Sequence, residues 1–382
     1  MNKPTRPVVL HVADCNIDLG TGMGRVAYHW REAFIRRGYD FVHLGRNNVP
    51  APWHRSGWHD AAFRASQKLS CNPLFCLVHE AACGRFCRHG TPVALLSHGL
   101  EERMAIAVPP DRMAGHNFHH RVRQFVTAPL WRRRARQAEA GFRNADLLLL
   151  ISNEDAEYVR KRYDRPEDRI FIFKNGVNAP NVAARQEPDG RPIVLFFGTW
   201  ITRKGKKTLV EAARLLRQQG VVVQWVLAGV GCPETEVRSD LPEALQSSVT
   251  VIPYVEPGRE GDLYAGCNLF VLPSYFEGQP LTLLQAMASA RCCITTNCCG
   301  MRDLIQDGRN GLLFEPGNAN ELAQLVARFA SDPALRAKLG EAARVSVKER
   351  AWPEVANEVV DAIEMHLGTP FALNRGSIRQ AG

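Results

Sequence analysis

Ser274-Tyr-Phe-Glu277-Gly278-Gln279-Pro280-Leu281-Thr-Leu-Leu-Gln285-Ala-Met-Ala288 joins the end of an apolar run to a helix through a Gly-Pro loop carrying one carboxylate. The run before it, Asn268 to Leu272 (NLFVL), has the unbroken apolar character of a strand buried on both faces of a parallel sheet. Pro273, Gly278 and Pro280 end that run, and Pro280 suits the first turn of a helix beginning near Leu281. Free amides at such a helix start lie beyond the carboxyl end of the strand, where open α/β sheets hold their ligands. Those N–H groups and the positive end of the helix dipole favour anionic or hydroxyl-rich ligands, and Glu277 places a negative charge beside them. Taken alone, the same residues also describe an ordinary strand-to-helix turn with a solvated glutamate.

A second segment repeats the arrangement. Ile193 to Phe197 (IVLFF) reads as another buried strand, followed by Gly198-Thr-Trp-Ile-Thr-Arg203-Lys204-Gly205-Lys206-Lys207. The helix after it has Leu209, Ala213 and Leu216 on one stripe, with Lys206, Arg214 and Arg217 off it. The basic cluster therefore falls on a strand-to-helix loop at the same end of the sheet as Glu277. Charge-assisted hydrogen bonds to phosphate are worth roughly 1.5–3 kcal/mol each, and a nucleoside diphosphate is the natural occupant.

Together these segments resemble the retaining glycosyltransferases of family 4. Gly198 to Gly205 is similar to that family's Gly-x5-Lys-Gly diphosphate loop, which implies Lys204 as the diphosphate-binding lysine. The family has Arg directly after the first Gly where this chain has Thr199, and Arg203 could supply the charge. Its paired glutamates correspond to Glu277 and to Gln285, which offers the nucleotide ribose a carbonyl acceptor in place of a carboxylate. The resemblance implies Glu277, Lys204 and His98 as catalytic residues. It implies Gly22, Arg203, Gly278, Gln279, Pro280, Leu281 and Gln285 as donor-binding residues. Asn144 to Ser152, Phe173 to Asn178, Val226 to Gly231 and Asp307 to Phe314 also resemble family segments. Where the family has Gly-Gly-x-x-Glu, this chain reads Cys299-Gly300-Met-Arg-Asp303.

At 382 residues the chain has room for two or three domains. The polar, proline-flanked stretch from Ala179 to Arg191 is the expected linker. Strands are expected at Val8 to Val12, Phe41 to Leu44, Val93 to Leu96, Leu147 to Ile151 and Ile170 to Phe173, with helices between. The expected fold is α/β of the GT-B class, two Rossmann-like domains facing each other across a cleft. An acceptor-binding domain is expected over 1–182, a nucleotide-sugar domain over 190–350, and a helix over 351–370 packing back on the N-terminal domain. Gly20-Thr-Gly22-Met-Gly24 precedes a helix from about Met23 to Arg37, but its spacing is not that of a dinucleotide fingerprint. The resemblance instead implies glycines that let the backbone approach the donor. His98 follows the strand Val93 to Leu96, where relatives place a histidine near the transferred sugar.

Net charge is +9, carried by the first half: residues 1–185 hold 28 Lys and Arg against 17 Asp and Glu. From Arg112 to Arg143 eight arginines face one acid, Glu139, interleaved with Phe118, Phe125, Leu130 and Trp131. Basic residues with apolar neighbours fit an anionic membrane surface, hence a lipid-linked or membrane-proximal acceptor, beside the glycan acceptor that the resemblance also implies. No nucleic-acid module is present in the sequence. No signal peptide and no apolar run of roughly 18 residues is found, so a cytoplasmic protein, peripheral on the inner face of the plasma membrane, is expected. Eleven cysteines without a secretion signal imply reduced thiols. His79, Cys83, Cys87 and His89 do not have the spacing of a common zinc site. Neither metal nor cofactor is expected beyond the nucleotide-sugar substrate. Two alternatives stay open: a nucleotide-sugar epimerase of the same architecture, and a non-catalytic GT-B scaffold.

Overall fold

The computed structural model describes residues 6–49, 57–109, 118–178, 191–256 and 258–367. Six strands form the first sheet: β1 (Val8–Val12), β2 (Asp40–Leu44), β3 (Phe75–His79), β4 (Val93–Leu96), β5 (Leu147–Leu150) and β6 (Ile170–Ile172). Their order is β2-β1-β3-β4-β5-β6, with every neighbouring pair parallel. The second sheet holds β7 (Ile193–Phe197), β8 (Gln224–Ala228), β9 (Val249–Ile252), β10 (Leu269–Leu272), β11 (Cys292–Thr296) and β12 (Leu312–Phe314). These too are all parallel, in the order β12-β11-β10-β7-β8-β9.

Counted from its own first strand, the second sheet therefore has the Rossmann order 3-2-1-4-5-6. Its reversal point lies between β7 and β10, the two strands that feed the Gly198 and Glu277 loops. The first sheet has the other doubly wound order, reversing between β1 and β3. Both are covered on both faces, which explains apolar runs such as Leu269–Leu272, all four of whose side chains are buried.

Five strands were legible in the first half of the sequence, and β3 was not. Its residues, Phe-Cys-Leu-Val-His, run straight into the helix Glu80–Phe86 without a Gly or Pro boundary, so nothing local marks the strand end. The mature pattern places Cys76 in a core with Leu10, Val78 and Leu95, and all eleven cysteines are free thiols.

The chain divides into two compact units, Met1–Glu102 with Asp111–Lys174 and Pro353–Gly382, and Asn175–Trp352 with Arg103–Pro110. Within the first, the helix Trp352–Leu367 is fastened to the N-terminal residues by charge. Arg37 donates to Glu364 at 2.6 Å and to Asp361 at 2.8 Å, and the Tyr39 hydroxyl donates to Glu364 at 3.2 Å. Of the expected linker, 179–190 lies outside the described residues.

In the second unit the two loops that follow β7 and β10 press together. Gly205 has φ +76, and a Cβ on it would run into the carbonyl oxygen of Pro273. Glycine is required there twice over, for conformation and for space. Gly205→Ala is expected to cost about 3 kcal/mol, against about 1 kcal/mol for Gly220→Ala. Gly220 has nearly the same φ, +74, but open surroundings. Equal urea midpoints for the two variants would show that the loops do not depend on this contact.

Candidate active site

The Gly198 loop ends in a short 3-10 turn, Thr202–Lys204, before the helix Lys206–Gln218. Gly198 runs beside the Lys204 stem, where an added Cβ would lie 3.6 Å from Cδ and Cε. The Arg203 carbonyl accepts from the Tyr275 N–H at 2.8 Å, and its guanidinium donates to the Phe276 carbonyl at 2.9 Å. Those bonds fix the two loops side by side.

Their side chains meet at Glu277. Lys204 Nζ lies 2.7 Å and Arg203 Nη1 2.8 Å from the same carboxylate oxygen, Oε1. Burial works against ionisation of Glu277, and the Lys204 and Arg203 charges outweigh it, holding its pKa below the usual carboxylate value. The result is a fixed cluster with one net positive charge on paper and spare donors on both cations.

Gly278, Gln279, Pro280 and Leu281 carry the chain from Glu277 into the helix Leu281–Ala288, with Pro280 at its cap. Gln279 is buried, and its side-chain oxygen accepts from the Asn175 N–H at 3.0 Å and from Arg350 at 2.8 Å. The structure thus places this side chain as an anchor for the Asn175-Gly176 turn. Gln285 lies one helix turn and more beyond, and its side-chain oxygen accepts from the Tyr264 hydroxyl at 3.1 Å. Tyr264 comes from another helix, Glu260–Ala265, and no sequence pattern links the two. Thr199 is exposed, so the position where relatives carry Arg supplies no charge, and Arg203 stands in the cluster instead.

In the first unit, Gly22 opens the helix Gly22–Arg36 and is exposed. The amides before it are already used: Asp18 accepts from Gly20 and Thr21 at 2.9 and 2.7 Å, and Thr21 accepts from Gly24 at 3.2 Å. His98 stands just past β4, half-buried, with its ring edge-on to His79 at 5.1 Å and to Phe173 at 5.7 Å. Burial lowers its pKa to about 4, so the imidazole is neutral at neutral pH.

His98 is one of a row. His11 on β1 and His43 on β2 are register partners, and their Nδ1 atoms are 3.0 Å apart. His43 Nε2 reaches the Cys15 carbonyl at 3.0 Å, so that nitrogen carries the proton and His11 Nδ1 is the donor between the rings. His79, at the end of β3, stacks edge-on against His11 at 5.7 Å and completes the row. The signal available in sequence was a histidine at or next to the last position of three apolar strands. Among the described residues, no group of three or more His, Cys, Asp or Glu is arranged to hold a metal ion.

Residues 179–346 match the family model for glycosyl transferases group 1. This chain is 26% identical over 228 residues to the alpha-D-kanosaminyltransferase of Streptomyces kanamyceticus, covering 56% of this chain and 58% of that enzyme. The chain spans about half the length of the curated relatives it matches. Among solved structures, the sucrose-phosphate synthase of Thermosynechococcus elongatus superposes with a TM-score of 0.76 at 20% identity, covering 94% of this chain and 99% of that one. Anabaena HepE, solved with UDP and glucose, gives a TM-score of 0.65 at 13% identity over 94% of this chain and 100% of that one. These likenesses establish the GT-B fold.

Within the matched residues, Cys299 stands where the backbone turns left-handed. Cys299 has φ +51, the left-handed conformation that a glycine would adopt without strain. Gly300 after it packs against the Gly278 carbonyl and leaves no space for a side chain, while its N–H donates to the Glu277 carbonyl at 3.3 Å. The backbone brace behind Glu277 is therefore kept with one glycine of the pair replaced.

The basic segment is partly internal. Residues 110–117, and the side chains of 118–128 and 130, lie outside what is described. On the rest of the helix Phe118–Asn144, Arg134 clamps Glu101, Arg133 lies 3.1 Å from Asp60, and Arg143 lies 3.2 Å from Glu139. No helix among the described residues is long and apolar enough to cross a membrane.

The neutral histidines make stability depend on pH. Burial, the largest cause, lowers the pKa of His11, His43, His79 and His98, and neighbouring charges add to the effect at the first three. Below about pH 6.5 the unfolded chain binds protons that these folded sites refuse, so stability falls as pH drops toward about 4. Each such site contributes a slope of about 1.4 kcal/mol per pH unit within its window. Glu80, whose pKa burial raises to about 8, opposes this by one proton. Chemical denaturation at pH 7.0, 6.0 and 5.0 is expected to show a steep loss, flattened in a His11→Asn/His79→Asn variant. A flat profile in the unaltered protein contradicts the neutral row.

Proposed function

We propose that this chain is a retaining glycosyltransferase that moves a hexose-type sugar from a nucleoside-diphosphate donor to a glycan or lipid-linked acceptor. The observation that carries the reading is the convergence of Lys204 and Arg203 on Glu277, at 2.7 and 2.8 Å, within the residues that match the group 1 family model. Two cations held by one buried carboxylate suit a leaving diphosphate, because they are oriented before it arrives. Gly198, Gly278 and the helix start at Leu281 let backbone amides approach the same group.

In the transfer step, the bond between sugar C1 and the β-phosphate oxygen breaks, and its electron pair leaves with the diphosphate. The acceptor oxygen bonds to C1 on the same face, and its proton passes to an oxygen of the departing β-phosphate. Lys204 and Arg203 offset the charge that develops there, and Glu277 keeps both in place beside the sugar hydroxyls. These cations make a metal unnecessary, so turnover is expected to be insensitive to EDTA. Neutral His98 offers a hydrogen bond to the sugar without adding charge. The excess of arginine between Arg112 and Arg143 supports an acceptor presented at an anionic membrane on the cytoplasmic side.

The test is thermal unfolding against UDP-glucose, GDP-mannose and ADP-glucose. A donor at about a hundred times its dissociation constant adds about 2.7 kcal/mol of stability. One nucleotide is expected to raise Tm, the shift disappearing in Lys204→Ala, whose turnover falls about 100-fold. No shift with any donor favours the non-catalytic scaffold. For the membrane, co-sedimentation is expected with phosphatidylglycerol vesicles and not with phosphatidylcholine ones; equal binding to both removes the anionic-surface reading.

A further inference from the structure

Glu80 is buried where β3 turns into the helix Glu80–Phe86, and the transfer reaction described above does not use it. Its two carboxyl oxygens reach two points of a single loop. Oε2 lies 2.6 Å from Ser97 Oγ, and Oε1 accepts from the Glu101 N–H at 2.9 Å. Those points bracket His98. Ser97 Oγ also accepts from the Gly99 N–H at 3.3 Å, which ties the backbone just after the imidazole to the same carboxyl group. Gly99 has φ +129, a conformation that leaves the loop little intrinsic preference of its own and depends on such ties.

We propose that Glu80 is a positioning residue for sugar transfer, acting through His98 by holding both ends of the loop that presents the imidazole. The proposal rests on the reading of His98 as a residue beside the transferred sugar. A carboxyl group is suited to this because its two oxygens are rigidly spaced and can serve two partners at once. The helix Phe118–Asn144 completes the seat, with Arg134 gripping Glu101 through Nε and Nη2. From the helix Trp58–Ser66, Asp60 is turned toward Arg85 at 2.8 Å and Arg133 at 3.1 Å. The groups acting on Glu80 are thus Glu101, Arg134 and Ser97.

Burial, reinforced by Glu101, raises the Glu80 pKa to about 8, with Ser97, the Glu101 amide and Arg134 opposing. The Ser97 hydroxyl donates to Oε2 while accepting from the Gly99 N–H, and Oε1 accepts from the Glu101 N–H. A glutamine keeps the carbonyl that accepts from the Glu101 N–H, and its NH2 can donate to a Ser97 hydroxyl that has turned. Above about pH 8 the group ionises, and the bonds it accepts from Ser97 and from the Glu101 N–H become charge-assisted and tighten the loop.

The experiment uses the full chain with imidazole-¹⁵N histidine and four variants: Glu80→Gln, Glu80→Ala, His98→Ala and the double Glu80→Ala/His98→Ala. The His98 resonance, identified by its loss in His98→Ala, is expected to shift through a transition near pH 8. Glu80→Gln is expected to remove that transition, and Glu80→Ala to displace the resonance at every pH. Nucleoside diphosphate release is followed with UDP-glucose, GDP-mannose and ADP-glucose. Glu80→Ala is expected to lower kcat tenfold or more with KM for the donor within twofold, Glu80→Gln to restore kcat to within threefold, and the double variant to match His98→Ala. A His98 resonance unmoved by Glu80→Ala, or losses that multiply in the double variant, overturns the positioning role. Wild-type release by His98→Ala instead refutes the catalytic reading of His98, whichever way the resonance behaves. Should Glu80→Ala fail to fold, Glu80→Gln and its pH profile carry the same decision.

Discussion

One carboxylate oxygen shared by two cations is the constraint on which the second unit is built. Glu277 is buried, and a lone buried carboxylate would take up a proton; beside Lys204 and Arg203 it stays ionised. Glu277 is the member on which the others depend, because its removal leaves two cations side by side, whereas removal of either cation leaves the carboxylate its other partner. The geometry leaves little tolerance. It needs β7 next to β10, Gly205 against Pro273, and Gly300 against Gly278, three close approaches that only a Rossmann strand order and bare backbone permit.

The first unit uses the same end of its sheet in the opposite electrostatic manner. His11, His43, His79 and His98 are all kept neutral by burial, and Glu80 keeps its proton for the same reason. Neutral rings and a neutral carboxyl can be packed tightly at a strand end, whereas ionised ones would repel or demand counterions.

Much of this was legible in the residues, because local signals coincide with tertiary roles at the ends of buried strands. The limits Ile193–Phe197 and Leu281 for the helix start follow directly from apolar runs broken by Gly and Pro. Gln279 and Gln285 show where that legibility stops. Both lie in the Glu277 loop or the helix after it, yet Gln279 is engaged by Asn175 and Arg350, and Gln285 by Tyr264, partners 104, 71 and 21 positions away. Strand β3 and Glu80 escaped notice for a related reason: neither sits beside a breaker, and the value of Glu80 lies wholly in the loop it meets after β4.

By itself the sequence determined the α/β class, the two sheets, and the presence of a basic, glycine-bounded loop and an acidic one at strand ends. Those properties depend on periodicity, turn chemistry and charge within short stretches of chain, where residue order is enough. Tertiary structure alone decided that Lys204 and Arg203 meet one oxygen of Glu277, that four histidines line up across neighbouring strands, and that the carboxyl of Glu80 spans the His98 loop. Such contacts depend on which strands lie side by side and on how deeply each group is removed from water, and neither is written in the spacing of residues along the chain.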